Sequence, residues 1–218
     1  MQLMAVARQD RDVWRDVKEI LYNETVSDYM REPLLDYIYL IPDKEEIKES
    51  LFNLTSSPSF IIRQTALAKL TVMLKKTEDC LRLQKTLLHV VKNIPSDLRE
   101  KREHLYLFKY TALPPSPDIF KPYMESEDFG IREVIYDILG GRDYGVKARN
   151  VFDYLCVRIL QEKDPDLQKY ILNKLLERNY YDGVPLKYFS LFQFLNTNPT
   201  EALALRVRNF LESFPFLK

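Results

Sequence analysis

The chain has 218 residues and a formal net charge of +0, from 32 Lys+Arg against 32 Asp+Glu, with 46% hydrophobic residues. This balance argues against a protein whose work is the nucleic-acid backbone, which calls for a positive excess. Only 5 Gly leaves too few turn residues for an all-β protein, so length and composition together suit one sizeable all-α domain.

The opening MQLMAVARQDRD has too short an apolar run before its charges to be a signal peptide, and no stretch approaches membrane-spanning length. The expectation is a cytoplasmic or nuclear protein with no membrane contact. The first helix is predicted over 10–22, with Val13, Val17, Ile20 and Leu21 inward and Trp14 as a cap over an open end of the core. A second follows over 27–40, where Pro33 must sit in the first turn or kink the helix. Residues 44–54 pair Ile47, Leu51 and Leu54 on one face.

The clearest pattern lies over 59–76. Ile62, Ala66, Leu67, Leu70, Met73 and Leu74 form one apolar stripe, with Gln64, Thr71 and Lys75 opposite and Ser56, Ser57 and Ser59 as cap candidates. Its core reads apolar-Arg-x-x-apolar-apolar-x-x-apolar, from Ile62 and Arg63 to Leu70. Met30, Arg31, Leu34, Leu35 and Ile38 repeat that order, as do Ile131, Arg132, Ile135, Tyr136 and Leu139. Leu167, Ile171, Leu172 and Leu175 repeat it with Gln168 in the arginine place, and weaker copies surround Arg102 and Arg206.

Beyond this stretch, 79–94 is a deeply buried helix carrying Leu83, Leu87, Leu88 and Val91. The more polar 96–111 is expected to cover the core with only Leu98, Leu105 and Phe108. Three prolines over 113–117 forbid a continuous helix. The repeat phase continues across them, which favours a rigid loop inside a single 1–218 domain over a linker between halves. Pro122 makes the helix over 118–124 irregular. Gly140 and Gly141 read as a helix C-cap and turn, since a phosphate-binding loop requires a different spacing after a strand. Helices over 144–162 and 166–178 follow, with Asp164 as N-cap. A last pair is predicted over 185–195 and 200–214, and Phe210, Phe214, Phe216 and Leu217 make the carboxyl end apolar.

Polar turn signals at residues 24, 58, 95, 128, 165 and 199 are spaced by 34, 37, 33, 37 and 34, a period that marks stacked helical hairpins. With the repeated apolar-Arg order, the chain resembles a HEAT-type or Armadillo-type α-solenoid over nearly its whole length. The resemblance implies a right-handed α-solenoid of about six hairpins whose second helices line a concave face. It also implies that Arg63 and Arg132 pair with acidic groups of adjacent repeats.

No catalytic set assembles from the residues. His89 and His104 are too few and too far apart for a triad or a metal site, and carboxylate pairs such as Glu45-Glu46 and Glu125-Glu127 do not share a helix face. No cofactor and no metal is expected, and the protein is read as a non-enzyme. Cys80 and Cys156 read as buried free thiols, and Asn23-Glu24-Thr25 and Asn53-Leu54-Thr55 as chance sequons. On the second helices the residues opposite the apolar stripe are Glu32, Asp36, Gln64, Lys75, Glu133, Asp137, Lys169 and Asn173. Their alternating signs would break a phosphate-tracking stripe, and the cluster Arg99, Lys101, Arg102, His104 and Lys109 is interrupted by Glu100 and Glu103. The expected partner is therefore a protein, bound along this mixed-charge face by a scaffold, adaptor or complex subunit. Tyr106, Tyr110, Tyr136, Tyr180, Tyr181 and Tyr188 are expected on helix edges or loops. The alternative is a HEAT-like nucleic-acid-binding or DNA-repair protein of glycosylase type, which steep salt dependence would reveal.

Overall fold

Where the sequence places helix starts, side-chain caps stand in the computed structural model, which describes residues 11–38, 43–94, 97–141, 148–177 and Leu205. Asp43 accepts from the backbone N–H groups of Glu45 and Glu46 and opens α3, Lys44–Leu54. Ser59 caps α4, Phe60–Met73, through the N–H of Ile62. Asp97 caps α6, Leu98–Tyr106, and Asp164 caps α10, Pro165–Glu177. Each carboxylate or hydroxyl satisfies N–H groups that the first helical turn leaves without intrahelical partners. Among the described residues every regular element is helical, so the fold is all-α.

The chain divides between Leu113 and Pro114, inside the proline-rich segment, into two units, Met1–Leu113 and Pro114–Lys218. In the first, α1 (Arg11–Tyr22), α2 (Asp28–Leu35), α3, α4, α5 (Thr77–Asn93) and α6 follow in order, and α6 runs into a 3-10 turn, Leu107–Tyr110. Helix α4 is its hub, packed against α2, α3, α5 and that turn. The expected stripe of Ile62, Ala66, Leu67 and Leu70 is wholly buried there. Leu74 then turns extended and stops the helix short of the 76 expected. In the second unit a 3-10 turn, Pro117–Phe120, passes into α7 (Lys121–Met124), then α8 (Phe129–Gly141), α9 (Ala148–Gln161) and α10. Helix α8 is the hub here and packs on α7, α9 and α10.

Several expectations need correcting. Helix α2 ends at Leu35 rather than 40. Pro33 lies inside the helix, beyond its first turn, and just past it the chain tightens into i to i−3 bonds, Asp36 N–H on Pro33 O and Tyr37 N–H on Leu34 O, each 3.2 Å. Met30 is 62% exposed, because it lies about 120° around α2 from Asp36, which marks the side facing α4. Ile20 and Leu98 are also exposed, whereas His104 and Tyr136, read as surface or edge residues, are fully buried. Thr71, expected opposite the apolar stripe, is buried too, with its hydroxyl satisfied by Ala68 O at 2.6 Å. Gly140 and Gly141 lie within α8 rather than in a turn. A Cβ on Gly140 would stand 2.6 Å from Cβ of Lys174 on α10, so this glycine permits a close helix approach. The Trp14 side chain, Tyr180, Tyr181, Tyr188 and the last helix pair fall outside the described residues.

Candidate partner-binding surface

The repeated arginine performs one task in both units. On α4, Arg63 Nη1 donates to Ser57 O (2.6 Å) and Pro58 O (3.3 Å), and Nη2 pairs with Glu100 in the first turn of α6. On α8, Arg132 Nη1 donates to Ser126 O (2.6 Å) and Glu127 O (3.1 Å), and its Nε reaches Glu162, two residues before the cap of α10, at 3.2 Å. Gln168, in the arginine place of α10, donates to Glu162 O (2.7 Å). Each side chain ties down the loop six residues before it, and the two arginines reach on to the start of the next helix of the same kind. On α2, Arg31 holds Asp28 (2.6 Å), whose other oxygen accepts from the Ser59 hydroxyl that caps α4. These arginines are joints of the fold.

The carboxylates at the joints differ. Glu162 is buried and accepts from Arg132 Nε, from the Tyr136 hydroxyl (2.8 Å) and from the N–H groups of Lys163 and Asp164 (3.0 and 3.1 Å). Burial, reinforced by that carboxylate, pushes the Tyr136 phenol up to about 12. Beside Glu100, His104 is sealed off. Its Nδ1 lies 2.9 Å from Glu100 O, which can only accept, so Nδ1 carries the proton. Burial, with the nearby Arg63 charge, lowers its pKa to about 4 and leaves a neutral ring edge-on to Phe60.

Further polar ties stand one period apart. Tyr22 bonds Ser50 O, Lys48 pairs with Asp79, Arg82 with Glu49, Lys69 with Asp36 and Arg158 with Glu125, at separations of 28 to 33 residues. Exposed pairs of this kind add little stability, but they mark which turns of successive helices lie level.

The face expected to bind a partner is partly absorbed by such ties. Asp36 pairs with Lys69 (2.8 Å), and Gln64 donates to Glu103 (3.0 Å). Asp137 accepts from the Tyr170 hydroxyl (2.9 Å) and pairs with Lys174 (3.2 Å). Glu32, Glu133 and Asn173 are half-buried, while Lys75 and Lys169 are exposed. Glu32, Asp36, Gln64 and Lys75 belong to the first unit, and Glu133, Asp137, Lys169 and Asn173 to the second. Within the interrupted basic cluster, His104 is buried and Arg99 is held by Glu103 (3.0 Å), so the run does not act as one cationic stripe.

Between Gln64 and Lys69 runs a stripe that periodicity alone did not single out. Ile61, Thr65, Ala68 and Val72 fall at i, i+4, i+7 and i+11 on the solvent side of α4, with Ile61 45% and Val72 66% exposed. On α2, Tyr29 (90% exposed) and Pro33 sit at i and i+4, again away from the core, and Tyr37 is exposed in the turn just past the helix. The signal in the sequence is the doublets Ile61-Ile62 and Val72-Met73, which put apolar groups on both sides of one helix. Uncharged surface in a row of this kind suits a protein partner better than a phosphate backbone.

Among the described residues, no group of three or more His, Cys, Asp or Glu side chains is placed to hold a metal ion, and no helix is long and apolar enough to cross a membrane. Cys80 and Cys156 are buried and free. No protein-family model matches the chain, and no curated protein matches it.

Proposed function

We propose that each unit is a stack of HEAT-type helical hairpins, parts of an α-solenoid, and that the chain is a non-enzymatic scaffold or complex subunit. A segment of a partner protein lies along the solvent face of the second helices, α2 and α4 above all. The observation that carries this reading is the row of exposed Ile61 and Val72 with half-buried Thr65 and Ala68 between them, together with exposed Tyr29 of α2, the helix that packs on α4, and exposed Tyr37 in the turn after α2. Apolar side chains left in water at helical spacing are what an amphipathic helix or extended segment covers.

Support for the hairpin stack comes from the recurring arginine joint at Arg63 and Arg132 and from polar ties one period apart. In such arrays each repeat leans on its neighbours and offers its remaining side for binding. Affinity capture of the tagged chain from its native lysate, with and without nuclease, tests the reading by mass spectrometry. A defined set of proteins kept after nuclease treatment is the expected outcome. Recovery of nucleic acid and its followers, lost on nuclease treatment, points to a nucleic-acid-binding protein instead.

A further inference from the structure

Two serines of the chain stand directly before a proline, Ser57 and Ser116, and no threonine does. The fold treats them in opposite ways. Ser57 is half-buried in the joint of the first unit, where its hydroxyl accepts from the Ser59 N–H at 3.3 Å and its carbonyl takes Arg63 Nη1 at 2.6 Å. Ser116 is exposed, and its φ of −66° and ψ of 138° are those of extended backbone.

The segment around Ser116 lacks the ladder bonds that hold a helix. Pro114, Pro115 and Pro117 have no N–H to give, and their rings keep φ near the extended value. The chain is pinned ahead of the segment, where Thr111 Oγ1 and Gln84 Nε2 donate to Leu113 O at 2.9 and 2.7 Å, and behind it, where the Ile119 N–H meets Ser116 O at 3.2 Å. From 112 to 119 only Pro115 is buried. An extended stretch with its hydroxyl in water is what a kinase grips, and little ordered structure must open here to allow it. Proline-directed serine kinases take Pro directly after the acceptor, and the mitogen-activated class favours another Pro two residues before it. Pro117 and Pro114 supply both, whereas Ser57 has buried Thr55 in the earlier place.

We propose that Ser116 is a phosphorylation site for a proline-directed serine kinase and that Ser57, in the same dipeptide, is not. In that reaction Ser116 Oγ takes the γ-phosphoryl group of Mg-ATP, the hydroxyl proton passes to the kinase's catalytic carboxylate, and ADP leaves. The product brings about two negative charges to the surface. They arrive beside an ion pair in which Lys121 lies 2.7 Å from Asp118. The Ser116 hydroxyl already donates to that carboxylate at 3.4 Å, so phosphate and Asp118 compete for Lys121.

The test incubates the folded full chain with a purified kinase of the mitogen-activated class and Mg-ATP, beside a synthetic peptide covering 110–121 as reference substrate. Intact-mass and peptide-mapping mass spectrometry read the product, and circular dichroism verifies the fold of each variant. One phosphoryl group at Ser116, added at a rate within about tenfold of the peptide's, is expected. It is lost in Ser116→Ala and kept in Ser57→Ala. No incorporation into the folded chain, a rate further below the peptide's, or equal labelling of Ser57 would overturn the proposal. Ser116 belongs to the second unit and to neither α2 nor α4, so the result stands whatever their solvent face binds.

Discussion

On α4 the arginine at the head of the helix reaches Glu100 in the first turn of α6; on α8 its counterpart reaches Glu162 just ahead of α10. The carbonyls they hold stand at the same offsets in both units, Ser57 and Pro58 in one, Ser126 and Glu127 in the other. The carboxylate side chains differ: Glu100 is 16% exposed, whereas Glu162 is 4% exposed and takes four donors. The solvent sides differ more. Where α4 shows half-buried Thr65 and Ala68 between exposed Ile61 and Val72, the matching positions of α8 are buried Gly130, half-buried Val134, Asp137 held by Tyr170 and Lys174, and exposed Gly141. The positions that build the joint are held to one chemistry, and those on the opposite side of the two helices are not. Partner choice is therefore expected in the second set.

The largest expected effect breaks the comparison at its joints. Glu162→Ala leaves Arg132 and the Tyr136 hydroxyl without their acceptor and should cost about 3–5 kcal/mol. Glu100→Ala, in a wetter site, should cost about 1–2 kcal/mol. Urea unfolding, with hydrogen exchange at α8 and α4 to assign each unit, measures both. Equal losses would mean that the two joints are energetically alike.

Next comes acid. His104 titrates at about 4 when folded against 6.5 ordinarily, so as pH falls through 6.5 the unfolded chain takes the proton first. Stability present above pH 6.5 is then lost progressively down to about 4, on the order of 3 kcal/mol in all. His104→Gln should flatten that part of the pH–stability profile relative to the native chain. An unchanged slope would show that the ring is not buried and neutral. Both histidines of the chain, His89 and His104, belong to the first unit, so the joint at Glu162 has no counterpart to this titration.

Gly140→Ala should be milder. The new methyl must displace Lys174, at about 1–3 kcal/mol, and better helix propensity returns up to about 1 kcal/mol. A net loss of about 1 kcal/mol in thermal unfolding is expected, and a gain would contradict the close approach of α8 and α10. Smallest in stability is Ile61→Asp with Val72→Asp, within about 0.5 kcal/mol, because both side chains already face water.

The buried side of α4 was legible because Ile62, Ala66, Leu67 and Leu70 obey one helical period, and the repetition at Arg132 marked the arginine and its acidic pairing, but not its hold on the loop carbonyls before it. The bounds of α3 were legible from the spacing of Ile47, Leu51 and Leu54. Less was readable where a residue's neighbour in space decides its role. Gly140 looks like a helix end until Lys174 is seen against it, and His104 looks like one more cation in a basic run until Phe60 and Glu100 enclose it. The mixed-charge face was found in sequence, but Asp36, Gln64 and Asp137 turned out to be engaged with neighbouring helices. The apolar row beside them was hidden, since a hydrophobic residue next to a buried one reads as core until exposure is measured.

The most direct measurement is quantitative affinity capture from native lysate after nuclease treatment, comparing the native chain with the Ile61→Asp, Val72→Asp variant by isotope-labelled mass spectrometry. A defined set of proteins in near-stoichiometric amount is expected on the native chain, and its loss on the equally folded variant. The same set on both chains would contradict the second-helix face as the binding surface.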